Sequence, residues 1–349
     1  MEPITRCLST LAEGYDTYSP AAIRYLFDGQ SVSPFLDYTP IDDDSHSETQ
    51  EEFLHNQEHI SLSGVQPKYS MIIRGGKLVL TREGEQGRYI LKPKLSDFRN
   101  RVHSPANEHL TMQIASQVFG IETAENGLCF FQGGEPAYIA KRFDVKPDGT
   151  KWRKEDFASL AGLSTENGGK NFKYGLLTYE ECGDLIRKYL PAWRVEMLKF
   201  FDLVVFNFLI CNGDAHLKNF SVLETESGDF RLAPAYDLIN TKLHVDDGIF
   251  ALEKGLLKAD ADRFMPMGFV RGTTFLEFGR RLGLPEKMIR RELDRFCASY
   301  SLLDKLIANS YLTEELKESY REMYLGRRDS YLKTGLRIDS TDKGPDARD

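Results

Sequence analysis

Short runs of apolar residues, rich in β-branched and aromatic side chains, recur along the chain between about residue 58 and residue 145, and such runs predict β-strands. The dipeptides Gly75-Gly76 and Gly133-Gly134 each separate two runs, which is typical of hairpin turns because glycine adopts positive φ without strain. Between residues 107 and 118 the apolar positions instead recur at helical spacing. The predicted strands are Tyr69–Arg74, Lys77–Thr81, Arg88–Lys92, Leu128–Phe131 and Ala137–Phe143.

From about residue 155 onward the pattern changes to helices. Trp193–Cys211 carries the most apolar face, and a short hairpin (Phe220–Glu224 and Phe230–Leu232) follows it. The other predicted helices cover residues 179–189, 274–282, 285–308 and 313–332. The sequence therefore predicts an α+β, two-lobed protein-kinase-like fold with a small β-rich N-lobe and a larger helical C-lobe.

We predict four segments along the chain. Residues 1–57 form an N-terminal segment, with a helix at Ala21–Phe27 after Ser19-Pro20 and an acidic linker over residues 42–52. Residues 58–145 form the nucleotide-binding N-lobe and residues 146–338 the catalytic C-lobe. Residues 339–349, polar and containing Gly and Pro, are predicted to be a disordered tail.

Composition and charge narrow the class of protein. The 349 residues suffice for two lobes, and 41% hydrophobic with 28% charged residues is ordinary for a globular protein. A formal charge of −8 gives no overall attraction to nucleic acid, so direct DNA binding is not expected. The odd number of cysteines, five, argues against a complete disulfide set. We find no signal peptide and no membrane span, so a cytoplasmic location is expected.

The strongest chemical signal is the loop Cys211-Asn-Gly-Asp214-Ala-His216-Leu-Lys218-Asn219, which follows the apolar helix. Asn219 lies five residues after Asp214, and Asp237 follows beyond the short hairpin. This spacing is that of a phosphoryl-transfer loop, in which the first Asp is the catalytic acceptor of the hydroxyl proton. The oxygens of Asn219 and Asp237 are ligands that Mg²⁺ prefers, so we predict both as metal ligands. We expect Lys218 to compensate the charge of the γ-phosphate. We expect His216 to lie near the nucleotide or to hold the loop, and a packed or capping histidine is the ordinary alternative.

A turn upstream, Ser61-Leu-Ser63-Gly64-Val65-Gln66-Pro-Lys68, can surround phosphates with backbone N–H and polar groups. Such Ser-Gly turns are common in proteins of all kinds, so the turn alone decides nothing, and it is not a Walker A sequence. Lys92 ends a predicted strand, and Glu108 lies 16 residues further on at the start of a helix. A Lys–Glu pair would position Lys92 over the α- and β-phosphates. A solvated lysine and an acid that favours the helix dipole are the ordinary alternatives.

The segment Lys141-Arg-Phe143-Asp144 closes the predicted N-lobe. In a two-lobed kinase this position is the hinge, where backbone groups meet the adenine; the alternative is an ordinary charged strand end. The order of turn, lysine, catalytic Asp, metal-binding Asn and metal-binding Asp is that of a kinase.

With these motifs the chain resembles the HipA family of toxin kinases, and most of all the short HipT branch of three-gene toxin–antitoxin systems. The resemblance covers roughly residues 60–240. The motifs that carry it are Ser61–Lys68, Tyr89–Pro93, Asn107–His109, Lys141–Asp144, Asp214–Ser221 and Ala233–Asp237.

The resemblance implies a serine/threonine protein kinase that uses Mg-ATP to phosphorylate an aminoacyl-tRNA synthetase of the tryptophanyl or glutamyl type. It also implies autophosphorylation of the Gly-rich loop at Ser61 and Ser63, where phosphate would repel the phosphates of ATP. The ATP contacts that it implies are Ser63, Gly64, Val65, Gln66, Lys68, Lys92, Lys141, Phe143, His216, Lys218, Asn219, Tyr236 and Asp237, with Glu108 in support.

The chain departs from the pattern of the long HipA proteins at the N-terminus. Long HipA proteins carry a further subdomain before the Gly-rich turn, whereas only about 60 residues precede that turn here. The resemblance implies that a separate small HipS-like antitoxin supplies that subdomain. It implies a HipB-like DNA-binding protein as well, so that DNA would be contacted only indirectly.

Two other functions fit parts of the pattern. Small-molecule kinases of the aminoglycoside-phosphotransferase type also carry a Gly-Asp-x-His-x-x-Asn loop. A pseudokinase acting as an interaction module is the second alternative. The presence of Lys92, Asp214, Asn219 and Asp237 together argues against it.

Overall fold

The computed structural model describes residues 3–39, 67–95, 98–258 and 269–336. The chain divides into two compact units. The first unit contains residues 1–154, 233–246 and 302–319, and the second contains residues 155–232, 247–301 and 320–349. The acidic segment 42–52 and the tail 339–349 lie outside the described residues.

The first unit is built on an antiparallel sheet that, within the described ranges, has five strands in the order β2-β1-β3-β5-β4. The two predicted hairpins are confirmed, and Gly75, Gly76, Gly133 and Gly134 all have positive φ in their turns. The strands are β1 (Tyr69–Arg74), β2 (Lys77–Leu80), β3 (Tyr89–Lys92), β4 (Asn126–Phe130) and β5 (Pro136–Lys141).

Two helices accompany this sheet. Helix α1 (Pro20–Leu26) begins one residue before the predicted Ala21. The Ser19 hydroxyl caps it by accepting a hydrogen bond from the Ala22 N–H at 3.2 Å. Helix α2 (Ser104–Gln117) begins before the predicted residue 107, since Pro105 fits a first helical turn. It follows a 3₁₀ turn, Arg101–His103.

Residues near both ends of the chain join the core of the first unit. The Leu128 N–H of β4 donates to the Leu8 carbonyl at 2.8 Å. The Tyr18 hydroxyl donates to the Leu128 carbonyl, and Leu26 and Phe27 are fully buried. From the far end of the sequence, Tyr311 donates to the Arg6 carbonyl at 3.0 Å.

The second unit is mainly helical. The predicted helix at residues 179–189 and the apolar helix after it are confirmed, the latter ending at Leu209. A second sheet has three strands in the described chain, in the order β6-β7-β8. The elements here are β6 (Lys154–Asp156), α3 (Phe157–Leu160), α4 (Thr165–Gly168), α5 (Tyr179–Tyr189), α6 (Trp193–Leu209), a 3₁₀ turn (Leu217–Asn219), β7 (Ser221–Glu224) and β8 (Phe230–Leu232).

The prediction of one helix over residues 285–308 is wrong. The structure has two helices there, because Ala298 is extended and the side chain of Arg328 donates to the Ala298 carbonyl and the Ser299 hydroxyl. A tertiary contact of this kind leaves no mark on the apolar spacing. The C-terminal elements are a 3₁₀ turn (Thr241–Leu243), α7 (Gly272–Arg281), α8 (Glu286–Cys297), α9 (Ser301–Asn309), α10 (Glu314–Leu325) and a π-helix (Gly326–Leu332).

The α+β class with a β-rich unit and a helical unit is confirmed. In the parts of the chain described above, no helix is both long and apolar enough to cross a membrane. All five cysteines are buried.

Candidate active site

In the first unit, the side chains of Lys68, Lys92, Glu108 and Asp237 form a continuous chain of ion pairs, which we call the charged cluster. The Lys92 ammonium lies 2.5 Å from a Glu108 oxygen and also contacts one oxygen of Asp237. The second Asp237 oxygen lies 3.1 Å from the ammonium of Lys68. The structure therefore brings together four residues that the sequence distributes over 170 positions.

The sheet and helix α2 fix the positions of the inner pair. Lys92 ends β3, which lies between β1 and β5, and its ammonium is 5.3 Å from the centroid of the Tyr138 ring on β5. Glu108 lies in the second turn of α2, and only 3% of its side chain is exposed. Because a buried ion is stable only when it is paired, Lys92 and Glu108 depend on each other.

Asp237 has a backbone φ of 56°, in the left-handed region that few residues other than glycine adopt. The segment after it is fastened to α2. The Asn107 amide donates to the Asn240 carbonyl at 2.8 Å, and the Asn240 N–H donates back to the Asn107 side-chain oxygen at 3.2 Å. Adjacent residues of α2, Asn107 and Glu108, thus hold both the segment of Asp237 and the lysine that Asp237 contacts.

The charges in this cluster are strongly coupled. Burial by itself would raise the pKa of Asp237, but the ammonium groups of Lys68 and Lys92 hold that pKa well below its usual range. Burial would lower the pKa of Lys92, but Asp237 and Glu108 raise it above the ordinary lysine value. Burial raises the pKa of Glu108 despite its pairing with Lys92. Asp237 is thus an ionised carboxylate at neutral pH, and Lys92 is a cation.

An aromatic pair lies in the same unit. The rings of Phe143 and Tyr236 are 5.7 Å apart between centroids, and both residues are half-buried. The Lys154 ammonium is 5.7 Å from the centroid of the Phe143 ring and 5.3 Å from that of the Tyr236 ring. Partly exposed ring faces of this kind can stack against a planar base.

The side chain of Lys141 lies apart from the charged cluster. In the β3–β5 register Lys92 is opposite Tyr138 and Lys141 is opposite Tyr89, so Lys92 and Lys141 are on different faces of the sheet. The Lys141 ammonium instead donates to Asp28 at 2.6 Å. The side chain of Lys141 therefore does not join the charged cluster, and the prediction that Lys141 contacts ATP now concerns its backbone groups alone.

In the second unit, Asp214 lies in a loop that begins at the end of α6. Cys211 takes a positive φ of 57°, and the Asn212 N–H donates to the Asn207 carbonyl at 2.9 Å, which closes the helix end. The Asn212 side-chain oxygen then accepts the Asp214 N–H at 3.1 Å. The polar residues after the apolar helix thus turn the backbone and set Asp214 at a fixed point.

The residues after Asp214 fold back onto it. The Asn219 amide nitrogen donates to the Asp214 carbonyl at 2.9 Å, and Leu217–Asn219 forms a 3₁₀ turn. His216 is buried, with its Nε2 atom 2.9 Å from the Lys173 ammonium. Lys218 is exposed. We call Lys173, Tyr174, Asp214, His216 and Asn219 the loop cluster.

The hydroxyl of Tyr174 donates a hydrogen bond to one carboxylate oxygen of Asp214, with 2.6 Å between the two oxygen atoms. Burial and the adjacent carboxylate of Asp214 raise the pKa of Tyr174, so the hydroxyl stays protonated. Neither Lys173 nor Tyr174 was among the predicted site residues, and Lys154 was also missed. The signal was weak, because a Lys-Tyr pair between two short polar runs carries no period and no metal-type spacing.

Five predicted site residues fall outside the described ranges. They are Ser61, Ser63, Gly64, Val65 and Gln66.

Mg²⁺ typically takes one or two protein oxygens and fills its shell with water and phosphate oxygens. In the described ranges, no three His, Cys, Asp or Glu side chains group together as a metal site. An ionised carboxylate at Asp237 fits this donor set. The amide of Asn219 fits as well, because the atom that bonds to the Asp214 carbonyl is its nitrogen and the amide also has an oxygen to offer.

Comparisons with known proteins agree with these features. Residues 60–301 match the family model described as the HipA-like C-terminal domain. A putative kinase of Haemophilus influenzae is 26% identical over 301 residues, which cover 80% of this chain and 82% of that protein. The serine/threonine-protein kinase toxin HipA of Shewanella oneidensis is 27% identical over 252 residues, 68% of this chain. The match spans 54% of that toxin, so the chain covers about half of its length.

A solved structure shares the fold. A chain of the Shewanella oneidensis complex of HipA, HipB and operator DNA superposes with a TM-score of 0.61 at 22% sequence identity. The superposition covers 84% of this chain and 68% of that chain.

Proposed function

We propose, from the premise that this chain belongs to the family with a HipA-like C-terminal domain, that it is a kinase that transfers phosphate from ATP to a protein hydroxyl. The observation that carries the proposal is the charged cluster. A buried lysine held between a helix carboxylate and a second carboxylate on a constrained backbone is the arrangement that positions ATP phosphates in kinases.

The first unit would bind the nucleotide. Lys92, kept cationic by its two carboxylate partners, would attract the α- and β-phosphates, and Lys68 would add charge beside them. The half-buried Phe143 and Tyr236 rings would contact the adenine. Asp237 and Asn219 would hold Mg²⁺, which supplies neutralisation of phosphate charge when bound.

The second unit would supply the proton acceptor. As a serine or threonine oxygen forms its bond to the γ-phosphorus, the bond from that phosphorus to the β–γ bridging oxygen breaks. The hydroxyl proton passes to the carboxylate of Asp214. His216 and Lys218 would support the loop and the transferring phosphate.

The finer identity follows the family resemblance. We propose a cytoplasmic toxin kinase of the HipT type whose substrate is a tryptophanyl- or glutamyl-tRNA synthetase and which autophosphorylates Ser61 and Ser63. A HipS-like antitoxin and a HipB-like DNA-binding protein are its proposed partners. In support of the second, the solved Shewanella complex contains HipB and operator DNA.

Mass spectrometry tests this function. The dephosphorylated protein would be incubated with Mg-ATP and a panel of purified aminoacyl-tRNA synthetases, beside an Asp214→Asn variant and an Asp184→Asn control. Asp184 is an exposed acid of the same unit that pairs with Arg187 and Lys258. We expect phosphate on one synthetase, and on Ser61 or Ser63, with wild type and the control but not with Asp214→Asn.

Other outcomes would overturn parts of the proposal. Transfer by Asp214→Asn at the wild-type rate would remove Asp214 from its catalytic role. Phosphorylation of an aminoglycoside without any phosphoprotein would establish a small-molecule kinase. Failure to bind Mg-ATP would establish a pseudokinase.

A further inference from the structure

A tyrosine outside the sequence motif of the Asp214 loop contacts the carboxylate of Asp214. The Tyr174 hydroxyl donates to one Asp214 oxygen at 2.6 Å, a short hydrogen bond to a charged acceptor. Carboxylates have two equivalent oxygens and rotate readily, so a single unsupported Asp can present its lone pairs in several directions. A hydrogen-bond donor at a fixed position, bonded to one carboxylate oxygen, also fixes the direction in which the other carboxylate oxygen points.

The backbone around Tyr174 is itself fixed. The Tyr174 and Gly175 N–H groups both donate to the Asn171 carbonyl, at 2.9 and 3.1 Å, which forms a tight turn. On one side of this turn the Leu217 N–H donates to the Lys173 carbonyl at 3.1 Å, and on the other the Glu253 N–H donates to the Tyr174 carbonyl at 2.9 Å. The turn is thus tied both to the loop of Asp214 and to the segment of Glu253.

The preceding residue acts on the same loop. Lys173 is buried, and its ammonium lies 2.9 Å from the Nε2 atom of His216. An ammonium group has hydrogen-bond donors only, so Lys173 can donate to this ring nitrogen. The rings of His216 and Tyr174 pack in a T-shaped arrangement, with 5.0 Å between ring centroids and planes at 74°. Neighbouring residues of one turn thereby hold Asp214 and His216 together.

We propose that Tyr174 is a positioning residue for phosphoryl transfer. Its hydroxyl occupies one oxygen of Asp214 and so directs the other toward the hydroxyl that receives phosphate, while Lys173 fixes the ring of His216. The inference rests on the proposed function and deepens it. Preorganised geometry of this kind contributes to the rate of the chemical step and not to the binding of ATP.

Tyr174→Phe tests the proposal, because it removes only the hydroxyl and keeps the ring against His216. Initial rates of autophosphorylation would be measured across ATP concentrations. We expect kcat to fall by about 10- to 100-fold with KM for ATP unchanged, the range that misplacement of a reacting group produces. Tyr189→Phe is the control, since it removes an exposed hydroxyl that donates to the Leu160 carbonyl in the same unit. It should match wild type.

A kcat for Tyr174→Phe within twofold of wild type, or a raised KM with kcat retained, would overturn the proposal. Hydrogen exchange gives a second readout that does not require transfer. The His216 and Asn219 N–H groups donate to carbonyls within the loop, and both should exchange at least tenfold faster in Tyr174→Phe than in Tyr189→Phe. Should wild type transfer no phosphate at all, the proposed function fails, and unchanged loop exchange would then reject the positioning role as well.

Discussion

The charged cluster of the first unit and the loop cluster of the second hold their functional groups by different means. Lys68, Lys92, Glu108 and Asp237 are fixed by ion pairs, and two of these residues are almost fully buried. Asp214 is fixed by hydrogen bonds from the Tyr174 hydroxyl and from its own N–H to the Asn212 side chain. In the charged cluster, cations alternate with carboxylates. In the loop cluster, the carboxylate of Asp214 accepts a hydrogen bond from the neutral hydroxyl of Tyr174, and the ammonium of Lys173 contacts His216 instead.

This difference matches the two tasks of a kinase. In the proposed function, binding a polyanion would require cations that stay charged in a buried place. The carboxylates of Asp237 and Glu108 raise the pKa of Lys92 against the lowering effect of burial. Accepting a proton requires a carboxylate that points in one direction without an ammonium bound to it. Under the proposal above, the neutral hydroxyl of Tyr174 would orient Asp214 through a hydrogen bond. The comparison therefore predicts that charge changes damage the first cluster most, while loss of a neutral hydroxyl matters in the second.

Lys92→Met should have the largest effect. It leaves Glu108 and Asp237 as adjacent acids without their shared cation, so we expect a loss of about 3–5 kcal/mol in the free energy of unfolding and loss of ATP binding. Urea denaturation and calorimetric titration with Mg-ATP would measure both. The double variant Lys92→Met/Glu108→Gln should recover part of the stability but none of the binding. Equal stability of the single and double variants would show that Lys92 and Glu108 are not coupled.

An acid titration should act next most strongly, through His109 beside Glu108. Burial lowers the pKa of His109 from about 6.5 to about 4, and its Nε2–H donates to the Ser9 carbonyl at 2.7 Å. As the pH falls, His109 is protonated in the unfolded chain before it is protonated in the folded protein. The stabilisation that neutral His109 gives to the folded state is therefore complete above pH 6.5 and is lost as pH falls toward 4. Between pH 7 and pH 5 the loss should be about 2 kcal/mol.

His109→Gln removes the titrating group while it keeps a donor for Ser9. Its free energy of unfolding, measured by urea denaturation at each pH, should be flatter than that of wild type over this interval. Parallel profiles for the two proteins would contradict the assignment to His109.

Lys141→Met should have the smallest effect. Its side chain is on the opposite face of the sheet from Lys92, and it pairs with the half-exposed Asp28. We expect a change below about 1 kcal/mol in stability, as for other surface ion pairs, and an ATP affinity within twofold of wild type. A tenfold loss of ATP affinity in calorimetric titration would place the side chain in the nucleotide site after all.

Local patterns accounted for much of the fold. Short apolar runs and the paired glycines predicted the strands of the first unit, because a hairpin is encoded within about fifteen residues. The return of residues 302–319 to the first unit was not predicted, since it depends on contacts such as Tyr311 with Arg6, some 300 residues apart. The break at Ala298 escaped prediction for the same reason, as Arg328 stabilises it from a distant part of the sequence.

For the candidate site, the order and spacing of the sequence motifs predicted the residues that form the charged cluster. Lys92, Glu108 and Asp237 were predicted as functional, and the structure brings them together. Tyr174 and Lys173 were missed, because their importance comes only from the tertiary contacts with Asp214 and His216. The face of Lys141 was also hidden, since the side on which a strand residue lies depends on the register with its neighbour. The roles of all these residues stay predictions until they are tested.

The central claim, that the charged cluster binds the nucleotide and Asp214 serves the chemical step, is tested most directly by Mg-ATP binding in two variants. Asp237→Asn and Asp214→Asn each replace one carboxylate by an amide of similar size. Calorimetric titration should show ATP affinity reduced at least tenfold by Asp237→Asn, and affinity within about threefold of wild type for Asp214→Asn. Wild-type affinity in Asp237→Asn, or an equal loss in both variants, would contradict this division of roles.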